Sequence, residues 1–373
     1  MKEYKISSNR SAKEWEESYL LGNGHMGAAV YGGISKERID LSEITFFSGN
    51  GKGDNDQVGA DIAFGEMRQL VKEKRFEEAQ NKASNFIGQR LDYGTNLPVG
   101  QLCIDFDHHE VKRTTTYEQS LTLNEGIVRI QTTNMDGGSI HREVFVSHPT
   151  KSLHYKIDCD KPQSITLSFE NTLIKHVVEV ANNQLEFHLK ALENLHSSGS
   201  EGVCLSGQVS VLETDGLVIG EGEALKVDNF TSLWIQVRMV TDFVTGQVPL
   251  DCLEYPLKDN YEVVIAAHIA DVNGYMKRVS LDLSGLDDTT ELMFQYGRYL
   301  LLASSRHDSP LPTHLQGVWN DNVACRIGWT CDMHLDINTQ MNYWISEAGN
   351  LSECHEPLFN WMEKTLIPKG RIT

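Results

Sequence analysis

The stretch that decides the fold is GIVRIQTTNMDGGSIHREVFVSHPTKSLHYKID, residues 126–158. Three runs in which apolar and polar residues alternate are separated only by Asn, Asp, Gly and Pro turns, so each reads as a strand joined to the next by a short connection. The same pattern recurs downstream in SITLSFE (164–170), QLEFHLKAL (184–192), VCLSGQVSV (203–211) and SLWIQVRMV (232–240), and upstream in CIDFDHH (103–109). Further upstream, LLGNGHMGAAVYGGISKERIDLSEITFFSG (20–49) reads as paired strands with tight hairpins, in which Gly22, Gly24 and Gly27 are expected at positive φ. Many strands at short spacing with no helix between them predict an antiparallel sandwich rather than a parallel sheet. This mainly β domain is expected over residues 1–255. It is interrupted at about 59–89, where Ile62, Met67, Leu70, Val71, Phe76, Ala79 and Phe86 fall at the spacing of two short helices.

Near residue 260 the pattern changes period. NYEVVIAAHIADVNGYMKRVSLDLSG reads as a helical linker, placed at 256–288, and leads into DDTTELMFQYGRYLLLASSR. There Leu292, Tyr296, Tyr299, Leu300 and Ala303 lie on one helical face, with Asp287 to Thr290 as cap candidates. Two more helices are expected, from about Asn338 to Ala348 and from about Glu356 to Lys364, with Pro357 in a first turn. Residues 289–373 therefore form the start of a second, helical domain.

The length of 373 residues suits about two domains. Hydrophobic residues make up 40% and charged residues 23%, and no stretch approaches the roughly eighteen consecutive apolar residues of a membrane span. Lys and Arg total 33 against 52 Asp and Glu, a formal charge of -19. Such a field repels phosphate backbones and anionic lipid, so nucleic acid and membrane are not expected partners, whereas a neutral sugar is compatible with it. Seven scattered cysteines (103, 159, 204, 252, 325, 331, 354) include no C-x-x-C pair and read as free, mostly buried thiols in a reducing compartment. The first residues, MKEYKISSNRSAKEWEESYLLGNGHMG, hold no apolar signal region, which points to the cytoplasm.

The densest cluster of polar and aromatic residues is HLQGVWNDNVACRIGWTCDMHLDINTQMNYW, His314 to Trp344. Trp319, Trp329 and Trp344 offer aromatic faces, and Asn320, Asn322, Asn338, Asn342, His314 and His334 offer amides and imidazoles. A sugar site requires that mixture, because amides and imidazoles match hydroxyl donors and acceptors while an indole covers the C–H face of a pyranose. Any one of these residues taken alone is as well explained as core or helix cap; the grouping is what favours a site.

Seven segments in order, namely 20–49, SIHREVFVSHP (139–149), HIADVNGYMKRVSLDL (268–283), QYGRYLLLASSR (295–306), LQGVWNDN (315–322), DINTQMNYW (336–344) and NLSECHEPLF (350–359), resemble the family 95 glycoside hydrolases of α-L-fucosidase type. The resemblance implies a β super-sandwich, a helical linker and the first helices of an incomplete (α/α)6 toroid. It implies inverting hydrolysis of α-L-fucosyl, or α-L-galactosyl, linkages in oligosaccharides, with no cofactor and no metal. In that family two asparagines spaced two apart support the attacking water; here they match Asp336 and Asn338, and His334 matches a residue that binds the sugar. Trp329, Trp319, Asn320 and Asn342 are the further substrate-binding candidates. Asp336 departs from the pattern, because an ionised carboxylate only accepts hydrogen bonds and, beside a base aspartate, would raise one of the two pKa values. An inverting pair stands about 6.5–9.5 Å apart, and the family's acid and base are expected downstream of Thr373, so the chain alone is expected to be inactive.

Two other readings stay open. The chain could be a non-catalytic sugar-binding or interaction remnant, or its plan could belong to a related disaccharide phosphorylase, which would require a phosphate-binding loop in the toroid. A separately encoded C-terminal part is then an expected partner. Elsewhere, His108 and His109 beside Asp105 and Asp107 read as a solvated strand rather than a metal site. Gly22, Gly24 and Gly27 lack the βαβ unit of a nucleotide loop. Trp15 and Glu43 read as structural.

Overall fold

The computed structural model describes residues 2–50, 58–86, 93–106, 114–250, 253, 257–283 and 288–372. Cys252, Asp107, His108, His109, Asp287 and the end of the 59–89 insertion lie outside the described residues. Among the described residues fourteen strands form the N-terminal part, and each of their pairings is antiparallel. They are β1 (Lys5–Ser8), β2 (Tyr19–Gly22), β3 (Met26–Val30), β4 (Lys36–Glu43), β5 (Gly100–Phe106), β6 (Thr114–Thr122), β7 (Ile127–Asn134) and β8 (Ser139–Ser147). The rest are β9 (Ser152–Glu170), β10 (His176–Ala181), β11 (Gln184–Lys190), β12 (Cys204–Thr214), β13 (Leu217–Glu221) and β14 (Ala224–Thr241).

Two long strands make the layers. The first half of β9 pairs β8 and the second half of β14, while its second half pairs β5 and the first half of β14. The β14 register shifts around Phe230, so both strands pass from one layer to the other there. One layer runs β1-β6-β7-β8-β9-β14-β12-β11-β10, and β2 to β5 join it through β9. The second layer folds back over the first: Asn23 Nδ2 donates to Ser147 O, and Tyr117 Oη donates to Gly32 O. Between the layers Arg142, 2% exposed, donates to Gly33 O and reaches Glu37 Oε2 at 3.2 Å, a carboxylate that also accepts from Gly32 N.

The run EVFVS in β8 is buried on both faces. Val144 and Val146 point into the main core with Val128, Leu233 and Ile235, whereas Phe145 points the other way with Ile127 and Trp234. That outer face is covered by helix α3 (Tyr261–Met276): Tyr261 and Val264 pack on it, and His268 stacks on Phe145 at 4.6 Å. A strand buried on both sides carries apolar residues in sequence instead of alternating. Asn260 starts α3, its Oδ1 accepting from Val263 N.

The insertion consists of α1 (Ala60–Lys72) and α2 (Phe76–Ala83). Its apolar faces are not buried: Ile62 is 65% and Phe76 63% exposed, and within the two helices only Ala63 and Ala79 are buried. Phe64 meets Phe86 edge to face, and Lys82 pairs with Glu66. Of the three glycines in the β2–β3 hairpin, only Gly24 has positive φ, at 80°. Gly22 and Gly27 are strand residues whose requirement is closeness. A Cβ on Gly22 would stand 2.5 Å from Ala303 O, and one on Gly27 2.8 Å from Trp319 Cδ1.

Helix α4 (Asp288–Ser304) follows. Of the expected face, Tyr299 and Ala303 are buried and Leu292, Tyr296 and Leu300 half buried, while the polar Glu291, Gln295 and Arg298 are also completely or almost completely buried. Arg298 explains this. Its guanidinium donates to Tyr275 O and Met276 O at the end of α3, to Val279 O, to Gly349 O and to Gln295 Oε1, at 2.8–3.3 Å. The remaining helices are α5 (Val323–Arg326), α6 (Asn338–Ala348) and α7 (Glu356–Trp361), the last continuing through a π turn into α8 (Ile367–Ile372).

Arg298→Ala should cost about 3 kcal/mol or more, because several buried carbonyls lose their donor together. Arg298→Lys should recover little, one ammonium being unable to span the same fan. Urea denaturation reads both. Glu43 supplies a pH test. Burial raises its carboxyl from about 4.5 to about 7, against the hydrogen bonds from Thr45 Oγ1 and N. A group raised on folding contributes stability below its unfolded pKa and loses it as pH rises through the folded one. Glu43→Gln should therefore match the parent at pH 5 and exceed it at pH 8 by roughly 1–3 kcal/mol; equal stability differences at the two pH values would contradict the assignment.

Candidate functional site

The segment after α4 crosses the β2–β3 hairpin and returns to start α6, and its residues divide into two groups. Trp319 is 4% exposed, packs against Gly27 and donates from Nε1 to Leu21 O at 2.8 Å. Asn320, 3% exposed, donates to Asn96 O and accepts from Asn322 N. Asn342 donates to Thr313 Oγ1 and His314 O, both at 3.0 Å. Trp319 and Asn320 thus hold the helical part to the β domain, while Asn342 ties α6 to the segment that precedes it. His314 is likewise buried, with its pKa pushed down to about 3 by burial, and its Nδ1 accepts from Gln316 N beside Cys331 Sγ.

The other candidates lie together at the N-terminal end of α6 and face outward. Trp329 is 59% exposed, and its ring lies 6.1 Å from that of His334. His334 Nε2 meets Asp332 Oδ1 at 2.6 Å, while Thr330 Oγ1 donates to Asp332 Oδ2. A carboxylate on Nε2 fixes the proton there and leaves Nδ1 as an acceptor, a suitable partner for a sugar hydroxyl. Asp336 is exposed and Asn338, the first residue of α6, half exposed. Between them Ile337 has φ 133°, a strained conformation for a β-branched residue. Gln340 braces the turn: its Oε1 accepts from Ile337 N and its Nε2 donates to Leu335 O.

Thr330, Asp332 and the strained Ile337 were not singled out from the sequence. The first two carried a weak signal, being spaced four and two residues before His334 in TCDMH; a strained φ in a non-glycine residue carried none.

An antiparallel β domain that passes through a linker helix into helices presenting an indole, an anchored imidazole and an amide at one edge has the build of a carbohydrate-active protein. Residues 6–246 match the model of the glycosyl hydrolase family 65 N-terminal domain, and residues 286–373 that of the glycosyl hydrolase family 95 catalytic domain. Alpha-L-fucosidase 2 of Arabidopsis thaliana is 29% identical over 99% of this chain and 50% of its own length. Probable alpha-fucosidase A of Aspergillus oryzae is 25% identical over 97% of this chain and 56% of its own. The chain thus spans about half the length of the curated relatives it matches. A putative kojibiose phosphorylase from human microbiome superposes with a TM-score of 0.54 at 10% identity, over 84% of this chain and 43% of that one, a likeness of fold alone. The chain belongs to the proteins with a glycosyl hydrolase family 65 N-terminal domain, and its residues 286–373 are similar to the family 95 catalytic domain.

The division into buried struts and an outward edge is testable. Trp319→Ala should cost about 3–5 kcal/mol as a vacated core position, whereas Trp329→Ala should stay within about 0.5 kcal/mol of the parent. Chemical denaturation of the two variants distinguishes them, and equal losses would show that Trp329 is a core residue as well.

Proposed function

We propose that the chain supplies the β domain, the linker and the first helices of an (α/α)6 toroid in an inverting glycosidase that releases α-L-fucosyl or α-L-galactosyl residues from oligosaccharides. The observation that carries the reading is the outward edge formed by Trp329, His334, Asp336 and Asn338 at the start of α6, where the family resemblance puts the sugar and the attacking water. His334 binds a hydroxyl through Nδ1, Trp329 covers a C–H face, and the Asn338 amide orients the water. Asp336 can only accept, so it favours a water that donates one proton to it while the lone pair points at the anomeric carbon.

The surface of α6 supports the toroid. One of its faces, Thr339, Tyr343 and Ser346, is buried, but Met341 and Trp344, at i and i+3, are 50% and 63% exposed, with Ile337 just before the helix 48% exposed. An apolar stripe of this kind is what a toroid helix buries against its next neighbour. General acid and base would be contributed by residues beyond these helices, and proton transfer typically supplies 10²–10⁴-fold of the rate.

Purified residues 1–373 should release no fucose from 2'-fucosyllactose above a heat-killed control; turnover would place acid and base within these residues. In a polypeptide that completes the toroid, Asn338→Ala should lower kcat on the order of 10²-fold with a smaller change in KM. An unchanged kcat removes Asn338 from the mechanism, and saturable sugar binding without any turnover in that polypeptide favours the non-catalytic reading.

A further inference from the structure

A second cluster of ligand-type side chains lies where the β domain meets the end of α4, and the proposed sugar chemistry does not use it. His25 comes from the β2–β3 hairpin, His148 and Lys151 from the turn after β8, and His307 and Asp308 from the segment after α4. His148 Nε2 lies 2.8 Å and His25 Nε2 3.4 Å from the same oxygen, Asp308 Oδ1. The ligand atoms of His148, His307 and Asp308 are all within 4.8 Å of one another. From this convergence we infer a binding site for one divalent transition-metal ion, held by His25, His148, His307 and Asp308.

The charge arrangement supports a cation at this point. Lys151 already places one there: its ammonium donates to Asp308 Oδ2 and stands 3.1 Å from His25 Nε2. A metal ion would take that position, and Lys151, 41% exposed, can turn into solvent. Arg306 adds positive charge nearby, but its guanidinium is paired with Asp271 at 2.6 Å. Three imidazoles and one carboxylate suit Zn²⁺, Co²⁺ or Ni²⁺; Mg²⁺ and Ca²⁺ want oxygen.

Metal–nitrogen bonds of about 2.0–2.1 Å require the ligand atoms to close in by roughly an ångström. The exposed His307 can supply that movement. Entry is open, because His25, Lys151, His307 and Asp308 line a cavity of about 990 Å³ between the β domain and the helices. An ion there would join two loops of the β domain to the first helix of the catalytic domain.

The test uses the full 373-residue chain stripped with chelator and titrated with zinc chloride by calorimetry, with thermal unfolding and the visible spectrum of the cobalt form in parallel. One equivalent should bind with micromolar or tighter Kd and raise Tm. The cobalt form should show d–d bands without thiolate charge transfer. Asp308→Asn and His148→Gln should each weaken binding at least tenfold, and Lys151→Met should tighten it. Asp308 also anchors Lys151, so His307→Gln at the exposed ligand tests the site even if Asp308→Asn fails to fold. The inference is overturned by no saturable binding up to millimolar zinc, by thiolate bands in the cobalt form, or by affinity unchanged in both His148→Gln and His307→Gln.

Discussion

The helical part hangs on Arg298. Among the described residues its guanidinium has no carboxylate partner; the charge is met by Gln295 Oε1 and by backbone carbonyls, two of them from the last turn of α3 and one, Gly349 O, just past the end of α6. Helix C-termini carry partial negative charge and unpaired carbonyls, and one buried fork satisfies both at once. Three helices are thereby fixed in mutual orientation by a residue whose burial would otherwise be prohibitive. Glu291, on the same face about two turns before it, repeats the device in reverse, a buried carboxylate accepting from Leu283 N and from Lys2.

The β domain takes up this orientation through close approaches. Gly22 and Gly27 omit the side chains that would keep Ala303 and Trp319 away from β2 and β3. Tyr299 Oη and Trp319 Nε1 then donate to the neighbouring carbonyls of Leu20 and Leu21, and Gly24 N donates to Ala303 O. The hairpin read from LLGNGHMGAAVYGG is thus a docking platform, and the site edge inherits its position from it through the segment 313–342.

Much of this was legible. The antiparallel strands followed from alternation and turn residues, and the helix at Asn338–Ala348 has the bounds expected. What alternation missed had physical causes. In α4 apolar spacing found Tyr299 and Ala303, which are buried, together with Leu292, Tyr296 and Leu300, which are half buried; it could not find Glu291, Gln295 and Arg298, polar residues that are buried because they bond to backbone groups. In the insertion the apolar spacing was real, yet Ile62, Val71 and Phe76 are exposed. Periodicity reports that a face exists and says nothing of whether something covers it. The sugar-site grouping was visible as composition, but Trp319 and Trp329 differ only in which carbonyl or solvent they meet, and that depends on contacts nearly three hundred residues away in sequence, as between Trp319 and Leu21.

The turn before α6 accounts for the acceptance of a carboxylate at Asp336. A positive φ at Ile337 costs of the order of 1–3 kcal/mol, and Gln340 holds the turn with a bond on each side of it. Asp336 lies two residues before the first helical residue, where the exposed N–H groups and the dipole of α6 favour negative charge. An amide in this position gains nothing from that field, whereas a carboxylate does. In the proposed site, then, of the two positions that flank the strained residue Asp336 only accepts hydrogen bonds and Asn338 alone can donate.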